Sequence, residues 1–237
     1  MSKTGEIIVL RDVLIPGGRI ADITIKDGLV RHIGSALRAD LEINCRGKTV
    51  LPAGTDLHVH MRDGSQKEKQ TWESGTRSAV AGGVTAVVDQ PNTVPPLITP
   101  GRVKDRVKLA ANQSFARFAI NGGVTGDADL TGMWQAGVFA FGETVAGPSS
   151  YGETDSSDVL SSSMREISKL GGLMTIHAEQ GTQGQDCLLT DHDDLRTVAG
   201  EVKVIKDVLD LNRSNGRCDL YFCHLSSAEA VRAIPGS

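Results

Sequence analysis

Apolar and polar positions follow two different patterns along this chain. Up to residue 50 the apolar residues fall in short runs, Glu6–Leu10, Ile20–Ile25, Gly28–Ile33 and Leu41–Asn44. Turn signals such as Pro16-Gly17-Gly18 and Lys26-Asp27-Gly28 separate them, so these runs predict short strands with no helix of any length. From residue 51 apolar strands alternate with helices. Strands are predicted near 52–59, 84–88, 115–120, 137–142, 173–178 and 218–223, and helices over 71–82, 100–112, 127–135, 157–170, 194–213 and 226–234. Gly82-Gly83 closes the first of these helices, as a C-terminal stop should. Such alternation is the signature of βα units around a parallel sheet. The predicted class is α/β, a (β/α)8 TIM-type barrel incomplete at about six βα units, since a full barrel takes about 250 residues. The predicted division is 1–50 and 51–237.

In a barrel of this kind, reactive groups gather at the C-terminal ends of the strands. The first strand ends in Thr55-Asp56-Leu57-His58-Val59-His60-Met61-Arg62. Residues two apart on a strand point to the same side, so His58 and His60 can aim two imidazoles at one divalent metal ion. Arg62, two further on, offers a planar guanidinium suited to a carboxylate. The fourth strand ends in Gly142-Glu143, the fifth in His177-Ala178-Glu179 and the sixth in Cys223-His224. Four of the six histidines thus fall on one rim with a carboxylate among them, enough for two metal ions roughly 3.5–4 Å apart. The plainer alternatives are a chance histidine pair, an Arg62 paired to Asp63, Asn92 as a turn residue after Pro91, and a solvated Glu143. His32 and His192 sit in polar surroundings and read as surface residues. Cys223 should face away from His224 and serve packing.

A net charge of −4 gives no reason to expect nucleic acid or an anionic membrane as partner. No apolar run approaches the roughly 20 residues that span a bilayer. The four cysteines (Cys45, Cys187, Cys218, Cys223) show no Cys-x-x-Cys spacing, which points to reduced thiols and a cytoplasmic location.

Several segments together resemble one family. They are Asp56–Arg62, Thr71–Arg77 with Gly82-Gly83-Val84-Thr85, Gln90-Pro91-Asn92-Thr93, His177-Ala178-Glu179 and His224-Leu225-Ser226-Ser227. In order and content these are similar to the dihydroorotases, and more broadly to the cyclic amidohydrolases of the metal-dependent amidohydrolase superfamily. The resemblance implies that residues 1–50 belong to a small β-sandwich beside the barrel. It implies two divalent ions, zinc by preference, with His58 and His60 on the first and His177 and His224 on the second. The bridging ligand in such enzymes is commonly a carboxylated lysine. Phe139 stands near that place here, and Glu143 is the candidate bridge, a Gly-Glu arrangement similar to archaeal dihydroorotases. Arg62 and Asn92 match the residues that hold the substrate carboxylate. The implied activity is reversible hydrolysis of dihydroorotate to N-carbamoyl-L-aspartate in pyrimidine (UMP) synthesis. The family's general acid/base aspartate, on an eighth strand, has no counterpart here, so no catalytic residue is assigned and the chain is expected to be a piece of a longer protein. Two other readings stay open: a hydantoinase or allantoinase, and a non-catalytic subunit bound to aspartate transcarbamoylase. A homodimer is the other partner considered.

Overall fold

The Asp27-Gly28 turn sets the geometry of the N-terminal unit, Met1–Ala53. Both residues have positive φ (54° and 73°), as the tight two-residue loop of a twisted hairpin requires. Strands β1 (Ile7–Ile15), β2 (Arg19–Lys26), β3 (Leu29–Gly34) and β4 (Leu41–Asn44) form one sheet in the order β3-β2-β1-β4. β2 runs antiparallel to β1 and β3, whereas β4 runs parallel to β1. The first strand extends to Ile15, well past the apolar run that ends at Leu10. Asp12 takes a φ of 57° and the ladder shifts between Leu10 and Val13, so a bulge absorbs the polar pair Arg11-Asp12 and pairing resumes. Asp22 secures the bulge by accepting from the Asp12 amide at 3.1 Å and the Arg11 guanidinium at 2.7 Å. Val13, Ile23 and Cys45 are the buried centre of this unit.

The computed structural model describes residues 5–36, 38–145, 156–180, 191 and 194–235. Its second unit, Gly54–Ser237, alternates strands and helices. In order these are β5 (Gly54–Val59), α1 (Trp72–Ala81), β6 (Val84–Asp89), α2 (Pro100–Gln113), β7 (Arg117–Ile120), α3 (Leu130–Gln135), β8 (Phe141–Val145), α4 (Ser157–Leu170), β9 (Leu173–His177), α5 (Val198–Ser214), β10 (Asp219–Phe222) and α6 (Ala228–Ala233). The strands form two parallel three-stranded sheets, β5-β6-β7 and β8-β9-β10. A parallel bridge between Gly122 and Phe141 links the two. All six strands therefore point their C-terminal ends the same way.

Helix starts follow local chemistry. Thr71 and Ser74 form a reciprocal capping box on α1, and Thr99 caps α2 with Pro100 in its first turn. Asp129 and Thr197 cap α3 and α5, so both helices begin a few residues later than the apolar pattern predicts. The largest correction concerns β8, predicted over 137–142 and found at Phe141–Val145. Val138 and Ala140 are buried, which makes this stretch look like a strand, but Phe139 between them is 51% exposed. The ladder begins only at Phe141, where side chains pack on Trp134 and the main core of Met133, Met164, Ile167, Met174 and Ile176.

Candidate metal centre

β5 ends at Val59, so His58 lies on the strand and His60 just beyond it, their ring centroids 5.2 Å apart. Glu143 enters from β8 with its side chain only 8% exposed. Gly142 makes this approach possible. Its φ is 117°, and a Cβ there would lie 2.3 Å from the Thr175 carbonyl oxygen, so β8 and β9 close up only around glycine. His177 is the last residue of β9, and His224 follows β10 by two residues.

All four imidazoles surround the one carboxylate. Glu143 Oε1 lies 2.9 Å from His177 Nδ1, 3.0 Å from His224 Nε2 and 3.7 Å from His58 Nε2, while Oε2 lies 3.7 Å from His60 Nε2. Ligand atoms of His58, Glu143 and His224 fall within 4.8 Å of one another. Both ring nitrogens of His58 are buried without a hydrogen-bond partner, an arrangement that costs free energy unless the N–H and the one lone pair of the neutral ring find partners. Four imidazoles and a carboxylate are the donor chemistry of divalent transition metals, and the unpartnered lone pair of His58 fits such an ion.

Electrostatics match that use. Burial lowers His58 to about 4, against which the Glu143 charge works only in part, so this imidazole is neutral at pH 7. Burial pushes Glu143 upward, but hydrogen bonds from His177 and His224 outweigh it and hold the carboxylate well below its usual range. The hydrogen bond to Glu143 raises His177. Cys223 is buried, and burial pushes its thiol up to about 12, so it is a neutral packing group.

Arg62 does not continue the strand alternation. It lies in a left-handed turn, φ 36°, and its Nη1 donates to the Asn92 carbonyl at 3.4 Å. It makes no salt bridge among the described residues. Asp63 instead accepts from the amides of Gly64 (2.7 Å) and Trp72 (2.8 Å). The Asn92 side chain is engaged with the metal-binding candidates themselves, its Oδ1 2.5 Å from His60 Nδ1 and its Nδ2 3.5 Å from Glu143 Oε2. His32 is exposed on β3 in the N-terminal unit, and His192 lies outside the described residues.

Two groups escape a reading of the sequence. Asp89 and Arg106 form a buried ion pair, with Nε 2.8 Å and Nη2 2.7 Å from Oδ2. Asp89 Oδ1 also accepts the Met61 amide at 2.8 Å, and Arg106 Nη1 donates to the Arg62 carbonyl at 2.9 Å. The pair therefore clamps the turn that carries Arg62; its one sequence signal is an acidic residue ending β6. Glu179 reads in the sequence only as a strand-end carboxylate. Its Oε2 lies 3.5 Å from His177 Nε2 and its Oε1 accepts from Arg196 at 3.0 Å. A cavity of about 490 Å³, lined by His177, Glu179, Arg196, Glu201, Cys223 and His224, opens beside the cluster.

Residues 47–230 match the family described as Dihydro-orotase-like, which is well over half of the chain. The chain belongs to the dihydroorotase-like family. Among curated relatives, this dihydroorotase-like chain is 38% identical to the dihydroorotase of Methanosarcina acetivorans, covering 91% of this chain and 49% of that protein. It is 29% identical to the allantoinase of Rubrobacter xylanophilus, covering 97% and 54%. Among solved structures, L-hydantoinase (dihydropyrimidinase) from Arthrobacter aurescens superposes with a TM-score of 0.81 at 26% identity, covering 95% of this chain and 54% of that one. The chain spans about half the length of the curated relatives it matches. No helix of the described residues is long and apolar enough to cross a membrane.

Proposed function

We propose that this chain carries the metal-binding and substrate-anchoring part of a dihydroorotase, which reversibly hydrolyses the cyclic amide of dihydroorotate to N-carbamoyl-L-aspartate in de novo pyrimidine (UMP) synthesis. The observation that carries this reading is the convergence of His58, His60, His177 and His224 on Glu143, with Arg62 close by. Identity to archaeal dihydroorotases supports the substrate class. His58 and His60 would hold one divalent ion and His177 and His224 a second, both zinc, with Glu143 between them. When bound, such ions supply Lewis acidity toward the amide carbonyl and an activated nucleophile at neutral pH.

The chain's own residues bind and orient. Arg62 presents a planar fork to the substrate carboxylate, with Asn92 beside it. Fixing that carboxylate holds the ring amide in one orientation over the histidines. A neutral His58 keeps a lone pair for a cation, and an ionised Glu143 offers two acceptor oxygens. His177 faces Glu143 through Nδ1, with its Nε2 3.5 Å from Glu179 Oε2.

In the same reading the six parallel strands over 51–237 are βα units of an amidohydrolase-type (β/α)8 barrel, and residues 1–50 are part of a β-sandwich. An apolar line across the N-terminal sheet supports the latter: Ile33, Ile23, Leu10 and Ile43 are register partners, and the outer two are exposed. The working location is the cytoplasm, with a small molecule as the main partner; a homodimer or an aspartate transcarbamoylase complex would show as a larger hydrodynamic size.

Zinc-loaded protein offered dihydroorotate, allantoin and hydantoin separates the readings. A preference for dihydroorotate is expected. Faster opening of allantoin or hydantoin would reassign the substrate, and zinc binding without turnover of any of them would favour the non-catalytic subunit.

A further inference from the structure

We infer that Asn92 is a positioning residue for His60, holding it in the tautomer whose Nε2 lone pair faces Glu143. This rests on the metal reading above and concerns how one ligand is prepared. The two ends of one amide decide the tautomer. A carboxylate at neutral pH only accepts hydrogen bonds, and an amide has one accepting and one donating end. The Asn92 atom 3.5 Å from Glu143 Oε2 must therefore be the NH₂ group. Its other end, the carbonyl oxygen, lies 2.5 Å from His60 Nδ1. That oxygen can only accept, so the neutral imidazole must carry its proton on Nδ1. Its lone pair is then on Nε2, which is the nitrogen 3.7 Å from Glu143 Oε2. Turning the amide over would set oxygen against carboxylate, so Glu143 fixes Asn92 and Asn92 fixes His60.

The opposite side of the cluster is wired differently. There His177 faces Glu143 through Nδ1, and its Nε2 looks toward the Glu179 carboxylate. The two sides thus turn opposite ring nitrogens toward Glu143. Partners of this kind orient metal-ligating histidines and typically change metal affinity about 10–100-fold when removed.

The test reads metal and tautomer, not turnover. Zinc affinity is measured by chelator competition for the wild type and Asn92→Leu, and the His60 ring is assigned by nitrogen NMR in both metal-free proteins. The expected results are a protonated Nδ1 in the wild type, loss of that preference in Asn92→Leu, and zinc binding about 10–100-fold weaker in the variant. A proton on Nε2 in the wild type or an unchanged affinity in Asn92→Leu would each overturn the inference. If Asn92→Leu does not fold, the wild-type NMR assignment still decides. A wild type that binds no zinc would instead defeat the metal reading, while the NMR assignment would still decide whether Asn92 sets the His60 tautomer.

Discussion

On the β5–β6 side of the metal centre the backing ion pair is buried, whereas on the β9–β10 side it faces solvent. Asp89 and Arg106 have side chains 1% and 6% exposed, and they grip the backbone at Met61 and Arg62 directly. Glu179 and Arg196 are 30% and 36% exposed, and Glu179 meets the centre at His177. The same chemistry, a carboxylate held by an arginine, therefore does two different jobs. In the interior it must be complete, because a lone charge there is costly; the Arg106 guanidinium also stacks 5.1 Å from the Trp72 ring centroid. At the rim, water replaces either partner at little cost. The buried pair fixes the path of the chain through a left-handed turn, and the exposed pair adjusts one imidazole.

The contrast is most easily broken by removing one partner on each side. Arg106→Met leaves Asp89 charged and uncompensated, and should cost about 3–5 kcal/mol of stability in urea melts. A loss below that of the rim variants would show that Asp89 is adequately solvated or neutral.

Acid should weaken the centre through His58 and Glu143, with His177 acting in the opposite sense. His58 drops from an ordinary value of 6.5 to about 4 on folding, so the unfolded chain takes up a proton first. Metal-free stability should then fall as pH drops from about 6.5 to about 4, by roughly 3 kcal/mol. Glu143, held low in the folded state, adds to the fall below its ordinary value of 4.5. His177 is raised, so its contribution is present below 6.5 and is lost as pH rises through its folded value. Urea melts across this range should show a shallower acid limb in His58→Gln. An unchanged slope would mean that His58 is protonated in the folded protein.

Arg62→Lys keeps the charge of the anchor while losing its fork. Loss of one hydrogen bond to a charged group, about 1.5–3 kcal/mol, corresponds to about a tenfold or greater drop in kcat/KM for dihydroorotate. Unchanged kinetics would remove the reason to prefer dihydroorotate over a hydantoin. The smallest effect is expected at Glu179→Gln, which should shift stability by no more than about 1 kcal/mol. A larger destabilisation there would erase the difference between the two sides.

Much of this architecture is legible in the residues alone. The strand–helix alternation after residue 50 and the four strand-end histidines all lie where the apolar pattern places them. Helix starts drift where a cap such as Asp129 or Thr197, and not the first apolar residue, begins the hydrogen bonding. β8 drifts because buried Val138 and Ala140 imitate a strand that begins only at Phe141. Arg62 lies past the end of β5, where alternation no longer applies, and its left-handed turn cannot be read from residue type. Asp89 and Arg106 carry no periodic signal, since their partnership joins a strand end to the middle of a helix 17 residues on.

The sequence alone determined the kinds of elements, their order and which side chains sit at the strand ends, because periodicity, caps and turn residues act over a few neighbours. Only the tertiary structure decided that one glutamate is shared by four imidazoles, one of them 81 residues away, and that Asn92 touches a histidine and that glutamate at once. Those distances follow from how separate strands close on each other, as at Gly142 against Thr175. Close packing of distant segments sets that closure, and no local pattern encodes it.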